Sequence, residues 1–170
     1  MTRYLLAFLF GLCSITASAQ FEQPPYLRFP TLPPLQLLLG DSTTIITKDS
    51  LPKGKGVLVL FFSTSCHHCQ ATTEELVAYR DSLPDITLVL ATFASVEDMN
   101  AFRKTYGTDK LPHTFVGKDI HFLLPPFYGI QNLPFLAYYN RKGDFVELLN
   151  GPMKVPQLMD RIRELERTRK

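Results

Sequence analysis

Two cysteines separated by two histidines are the residues of this sequence best suited to chemistry. Cys66-His67-His68-Cys69 follows an apolar run and opens a segment with helical periodicity. Free backbone N–H groups and the dipole at a helix N-terminus favour a thiolate there. One helical turn brings the second cysteine close enough to attack a mixed disulfide formed at the first. We therefore predict thiol-disulfide exchange through a redox-active Cys66–Cys69 disulfide, with Cys66 as the nucleophile and Cys69 as the resolving thiol.

The histidines between the cysteines are predicted to tune the thiolate. Partial positive charge on His67 and His68 favours the ionised form of Cys66. Stabilising the reduced form makes a dithiol a stronger oxidant, and ~30 mV corresponds to about 1.4 kcal/mol. We expect a more oxidising potential than that of a Cys-x-x-Cys pair without histidines. Both directions of electron flow stay open.

The same side chains allow other interpretations. Thiolate and imidazole suit zinc and copper, so Cys66 and Cys69 with a nearby histidine would fit a non-enzymatic metal carrier. A partner-binding module with an unused dithiol and a structural disulfide are further alternatives. One Cys-x-x-Cys without a second pair is weak evidence for metal. We therefore predict an enzyme with no metal site and no bound cofactor, because electrons pass directly between dithiols.

Composition excludes several classes of protein. The chain has 170 residues, 45% of them hydrophobic and 20% charged, as expected for a globular domain. A net charge of +2 gives no electrostatic basis for binding nucleic acid. No apolar run reaches the roughly 18 residues that a membrane-spanning helix needs.

The first 19 residues have the pattern of a cleaved secretory signal. Arg3 precedes an apolar stretch and then Ala17-Ser18-Ala19, which predicts cleavage near Ala19–Gln20. The mature chain keeps two of the three cysteines, both in the one motif. We expect the protein to act outside the cytoplasm, in the periplasm, where a dithiol meets oxidising conditions.

Strands and helices alternate around the dithiol. The periodicity predicts strands at 57–62, 86–93, 113–116, 134–140 and 144–149, and helices at 66–82, at 95–106 and from 155 onward. Residues 35–47 predict an edge hairpin, whereas the five prolines of residues 20–34 predict an extended segment rather than a helix. We therefore predict one α/β domain over residues 35–170, with a mixed, mainly parallel sheet flanked by helices.

Three segments resemble the thioredoxin superfamily, and within it the secreted TlpA/ResA-type thiol-disulfide oxidoreductases. They are Val57–Cys69, Tyr128–Pro134 and Asn140–Asp144, and the likeness covers about residues 35–168. It implies a thioredoxin-like fold with an insertion before a cis-proline, and a cis peptide at Leu133–Pro134 beside the dithiol. It also implies that Leu133 pairs with an extended substrate by strand addition. The implied partners are protein dithiol or disulfide substrates and a redox-partner protein.

Three positions differ from the pattern of that family. Ser65 stands where an aromatic residue is usual, Leu60 where a polar or acidic residue is frequent, and Thr72 where many ResA-like proteins have glutamate. Transfer of the Cys69 proton is therefore left to water, His68, Glu74 or Glu75.

Overall fold

The structure, a computed structural model, describes residues 23–149, 151 and 153–168. The predicted signal segment, residues 1–19, lies outside the described residues. The strands are β1 Gln36–Leu39, β2 Ile45–Thr47, β3 Gly56–Phe62, β4 Ile86–Thr92, β5 Thr114–Asp119, β6 Phe135–Tyr139 and β7 Phe145–Leu148. The helices are α1 Pro25–Arg28, α2 His67–Ala78, α3 Val96–Tyr106, α4 Leu124–Tyr128 and α5 Val155–Thr168. None of these helices is both long and apolar enough to cross a bilayer.

The strands form one sheet in the order β2-β1-β5-β4-β3-β6-β7. This confirms the mixed sheet and the edge hairpin, but the expectation of a mainly parallel sheet is wrong. Two of the six pairings between described strands are parallel, β3 with β4 and β4 with β5, and four are antiparallel. The parallel pairs are those connected through α2 and α3, because only a long crossover returns the chain in the same direction. Short hairpin turns reverse the chain between β1 and β2 and between β6 and β7.

The central strands are covered on both faces, as their continuous apolar runs predict. Every residue of β3 and β4 is buried. Successive side chains of a strand point to opposite faces. Leu58, Leu60 and Phe62 therefore join a core with α2, α3 and α5. The alternate residues of β3 join a second core with α4 and the β1–β2 hairpin.

The N-terminal segment corrects the expectation of a fully extended chain. Residues 25–28 form one turn of helix, α1. Proline is tolerated in a first turn because its missing N–H would have no intrahelical partner there. We call residues 23–34 the arm. Beyond α1 the arm follows the outer edge of β7, where Phe145 N–H donates to Pro30 O at 2.8 Å and Leu32 N–H donates to Gly143 O at 3.0 Å.

Two other segments differ from their predicted bounds. Helix α2 ends at Ala78 and is followed by a 3-10 turn at Arg80–Ser82, rather than continuing to residue 82. Strand β5 continues beyond the predicted 113–116 to Asp119, whose carboxylate accepts hydrogen bonds from Leu123 N–H at 3.1 Å and Leu124 N–H at 2.9 Å. The second contact fixes the start of α4, which leads the chain towards Leu133–Pro134.

Candidate active site

Cys66 lies where the buried strand β3 gives way to α2. It is the residue before the first turn of α2, and its Sγ accepts a hydrogen bond from Cys69 N–H at 3.3 Å. Its own N–H donates to Ser63 O at 3.2 Å, which holds the loop between strand and helix. The thiol is partly exposed. One of the backbone N–H groups left free at the start of α2 therefore points at this sulfur.

Cys69 has the opposite environment. Its side chain is fully buried in the core beneath α2, and the two thiols are not bonded to each other. Burial raises the pKa of the Cys69 thiol to about 12, and the hydrogen bond with Cys66 acts in the same direction. Leu60, at the position where the related family often has a polar residue, is buried in the same core. The pair therefore combines an accessible sulfur with a buried, protonated one.

The Leu133–Pro134 peptide is cis and lies beside the dithiol, as the resemblance implies. Cys66 Sγ is 3.9 Å from Leu133 O, at the limit of a hydrogen bond to sulfur. Among the described residues, neither the N–H nor the C=O of Leu133 bonds to another backbone group. Backbone groups without a backbone partner, next to a partly exposed thiol, can accept an extended chain.

The two histidines of the motif lie in the first turn of α2, and both are exposed. His68 lines a groove beside the dithiol, whereas His67 does not. Within the described residues, no three histidine, cysteine or acidic side chains lie together in a way that would hold a metal ion.

An open groove of about 1350 Å³ adjoins the site. One side of α2 contributes His68, Thr72, Glu74 and Glu75, and Leu133 and Pro134 also line the groove. The Glu75 carboxylate already has a hydrogen-bond partner, because its Oε2 accepts the Val155 N–H at 3.0 Å at the start of α5. Of the two carboxylates considered for proton transfer, Glu74 is therefore the one left exposed.

The groove also contains residues that the sequence did not indicate. Pro24 and Tyr26 of the arm, and Met153 and Lys154 before α5, line it. Pro24 and Tyr26 are more than 100 residues from Leu133 in the chain, and no local pattern connects them. Only the folded sheet brings these segments together.

The fold is thioredoxin-like, and its dithiol stands at the junction of strand and helix beside a cis-proline. No family model and no curated protein matches the sequence. Among solved structures, the chain is similar to a secreted Mycobacterium tuberculosis disulfide oxidoreductase homologous to Escherichia coli DsbE. The TM-score is 0.64 at 20% identity, over 77% of this chain and 96% of that one.

Two further neighbours have the same fold. A thiol:disulfide interchange protein of Chlorobium tepidum has a TM-score of 0.63 at 19% identity, over 79% of this chain and 96% of that one. Copper-bound ScoI of Arabidopsis thaliana has a TM-score of 0.63 at 16% identity, over 82% of this chain and 99% of that one.

Proposed function

We propose that the protein is a thiol-disulfide oxidoreductase that acts on extracytoplasmic proteins. The observation that carries this proposal is the asymmetry of the dithiol. Cys66 is partly exposed and accepts an N–H at the start of α2, whereas Cys69 is fully buried one turn further on. A structural disulfide would need no accessible sulfur.

The reaction consists of two exchanges. The Cys66 thiolate attacks a substrate disulfide, forming a mixed disulfide and releasing one substrate thiolate, which takes up a proton. Cys69 then loses its proton and attacks the Cys66 sulfur, so that the second substrate thiolate leaves. The substrate gains two electrons, and the protein ends with a Cys66–Cys69 disulfide. Run in reverse, the same steps oxidise a substrate dithiol.

The backbone of Leu133 orients the substrate. Its N–H and C=O, which bond to no other backbone group in the described part of the chain, pair with an extended segment that carries the reacting cysteine, and Pro134 lies beside Cys66. Because main-chain hydrogen bonds do not depend on side chains, this binding tolerates varied sequences. The partners are protein disulfides or dithiols and a redox-partner protein that resets Cys66 and Cys69.

His67 and His68 tune the thiolate without contacting its sulfur directly. Both are exposed in the first turn of α2. Positive charge there favours the reduced, ionised state of Cys66 and makes the pair more oxidising. The predicted signal segment and the secreted relative of the same fold support action in the periplasm.

Trapping of mixed disulfides tests this function. A Cys69→Ala variant keeps the accessible nucleophile and loses the resolving thiol, so substrates should accumulate on Cys66 as complexes that a reductant releases. The matched control is the double variant Cys66→Ala with Cys69→Ala, which should trap nothing.

Two outcomes would contradict the proposal. If nothing accumulates on Cys66, its role as the attacking thiol is wrong. If the purified protein exchanges no disulfide but binds copper or zinc stoichiometrically, the metal-carrier alternative holds instead. The similarity to copper-bound ScoI is the observation that favours this alternative.

A further inference from the structure

The groove beside the dithiol extends to both faces of the sheet. Helix α2 packs on the core that contains Cys69, whereas Tyr26 packs on the opposite core with Tyr128. Leu133 lies between them and contacts both cores. A chain bound along Leu133 therefore has α2 towards one face and the arm towards the other.

The arm is held in place by specific contacts. The Tyr26 ring meets Phe145 edge-on at 5.2 Å between centroids, and its centroid is 6.0 Å from that of Tyr128. The hydrogen bonds of Pro30 and Leu32 with the β6–β7 turn region anchor the rest of the arm. Fixed proline φ angles reduce the conformational freedom that the arm would lose when a ligand binds. The arm thus presents a pre-ordered surface.

We propose that the arm forms part of the substrate site and that Tyr26 selects polypeptide disulfides over small ones. This inference rests on the proposed function. Tyr26 is only partly buried although its ring packs on two others, and part of the side chain lines the groove. An aromatic face of this kind binds apolar side chains of a substrate segment that reaches beyond its cysteine. A small disulfide that occupies Cys66 alone does not reach it.

Helix α2 forms one side of the groove, and its length sets the length of substrate chain that the groove holds. Helix α2 lines the groove from His68 to Ala78, a rise of about 15 Å at roughly 1.5 Å per residue. An extended chain advances about 3.3 Å per residue, so this wall accommodates four to five residues on one side of the cysteine. A peptide of about ten residues with a central cysteine and apolar neighbours is therefore a suitable probe.

The test compares two substrates in one ratio. Reduced protein without the predicted signal segment, which contains Cys13, is mixed with the disulfide-linked dimer of that peptide, or with the small aromatic disulfide DTNB. The second-order rate constants are measured by stopped flow. We expect Tyr26→Ala to lower the peptide-to-DTNB ratio about tenfold. Tyr26→Phe should keep the ratio, because the ring makes the contact. The matched control is Leu27→Ala, since Leu27 is 46% exposed on the same helical turn and does not line the groove.

A second variant tests the inference independently if Tyr26→Ala does not fold. Pro24→Glu places a negative charge on the side of the groove formed by the arm, without removing an aromatic contact. It should slow the reaction with acidic peptides relative to basic ones by several fold. A ratio within twofold of wild type for Tyr26→Ala, or no change in charge preference for Pro24→Glu, would overturn the inference. A wild-type protein that exchanges with neither disulfide would instead overturn the proposed function.

Discussion

Cys66 and Cys69 should differ greatly in their reaction with an alkylating agent. The variants Cys66→Ala and Cys69→Ala each leave one thiol of the pair in the folded protein. In the first, the remaining thiol is fully buried beneath α2, and in the second it is partly exposed at the start of α2. Comparing the two variants therefore isolates the effect of position on the reactivity of a cysteine thiol.

The expected magnitude follows from the environment of Cys69. Burial is the main cause that raises its pKa from 9.0 to about 12, and burial persists when Cys66 is replaced. Each pKa unit is a factor of ten, so at pH below about 9 roughly a thousandfold fewer Cys69 thiols are ionised than for an ordinary cysteine. Only the thiolate reacts, and its burial further restricts the reagent. We expect alkylation of Cys69 to be at least a hundredfold slower than that of Cys66.

The assay follows incorporation of iodoacetamide by mass spectrometry at several pH values between 6 and 10, with the unfolded variants as references. In urea the two thiols should react at similar rates, which shows that the difference belongs to the fold. Rates within tenfold of each other in the folded variants would refute the assignment of Cys69 as the protected, resolving thiol.

Two further predictions concern the motif and the C-terminal helix. Replacing both His67 and His68 by alanine should make the redox potential more reducing, as measured by equilibration with glutathione, and an unchanged potential would show that they do not tune the dithiol. Burial opposes ionisation of Glu166, but hydrogen bonds from Arg141 and Tyr138, at 2.7 Å and 2.6 Å, hold its pKa below the ordinary value. Because the pKa of Glu166 is lower in the folded chain than the value of about 4.3 in the unfolded chain, its ionised form stabilises the fold at pH above about 4.3. This stabilisation is lost as the pH falls through the pKa of the folded state. Glu166→Gln should therefore unfold in urea with about 1–3 kcal/mol less stability near pH 7, a deficit that shrinks towards pH 3; a deficit independent of pH would contradict this reasoning.

The sequence predicted the features that depend on neighbouring residues. The apolar run of β3 indicated a strand covered on both faces, and the structure buries all of it. The helix predicted at 95–106 is α3, at whose start Ser95 Oγ accepts the Asp98 N–H at 3.0 Å. The position of Cys66 before the first turn of α2 follows from the same local logic. These features are set by side chains within one turn or one strand.

The sequence did not predict how the two hairpins pair with the central strands. Alternating strands and helices suggested a mainly parallel sheet, but the β1–β2 hairpin joins β5 antiparallel and β6 returns antiparallel beside β3. Periodicity identifies an element but carries no information about its partner. The expectation of no helix among the prolines of residues 20–34 is also wrong, because proline can begin a helix, as it does at α1.

The sequence by itself determined that Cys66 and Cys69 stand together at the end of a buried strand, because strand, cap and helix are local patterns. The tertiary structure alone decided that Leu133 lies 3.9 Å from Cys66 Sγ and that Tyr26 lines the same groove. These residues are distant in the chain, and pairing of β3 with β6 together with packing of the arm on β7 brings them together. Their proximity depends on how the entire sheet buries its apolar surface, and no single segment of the sequence determines that.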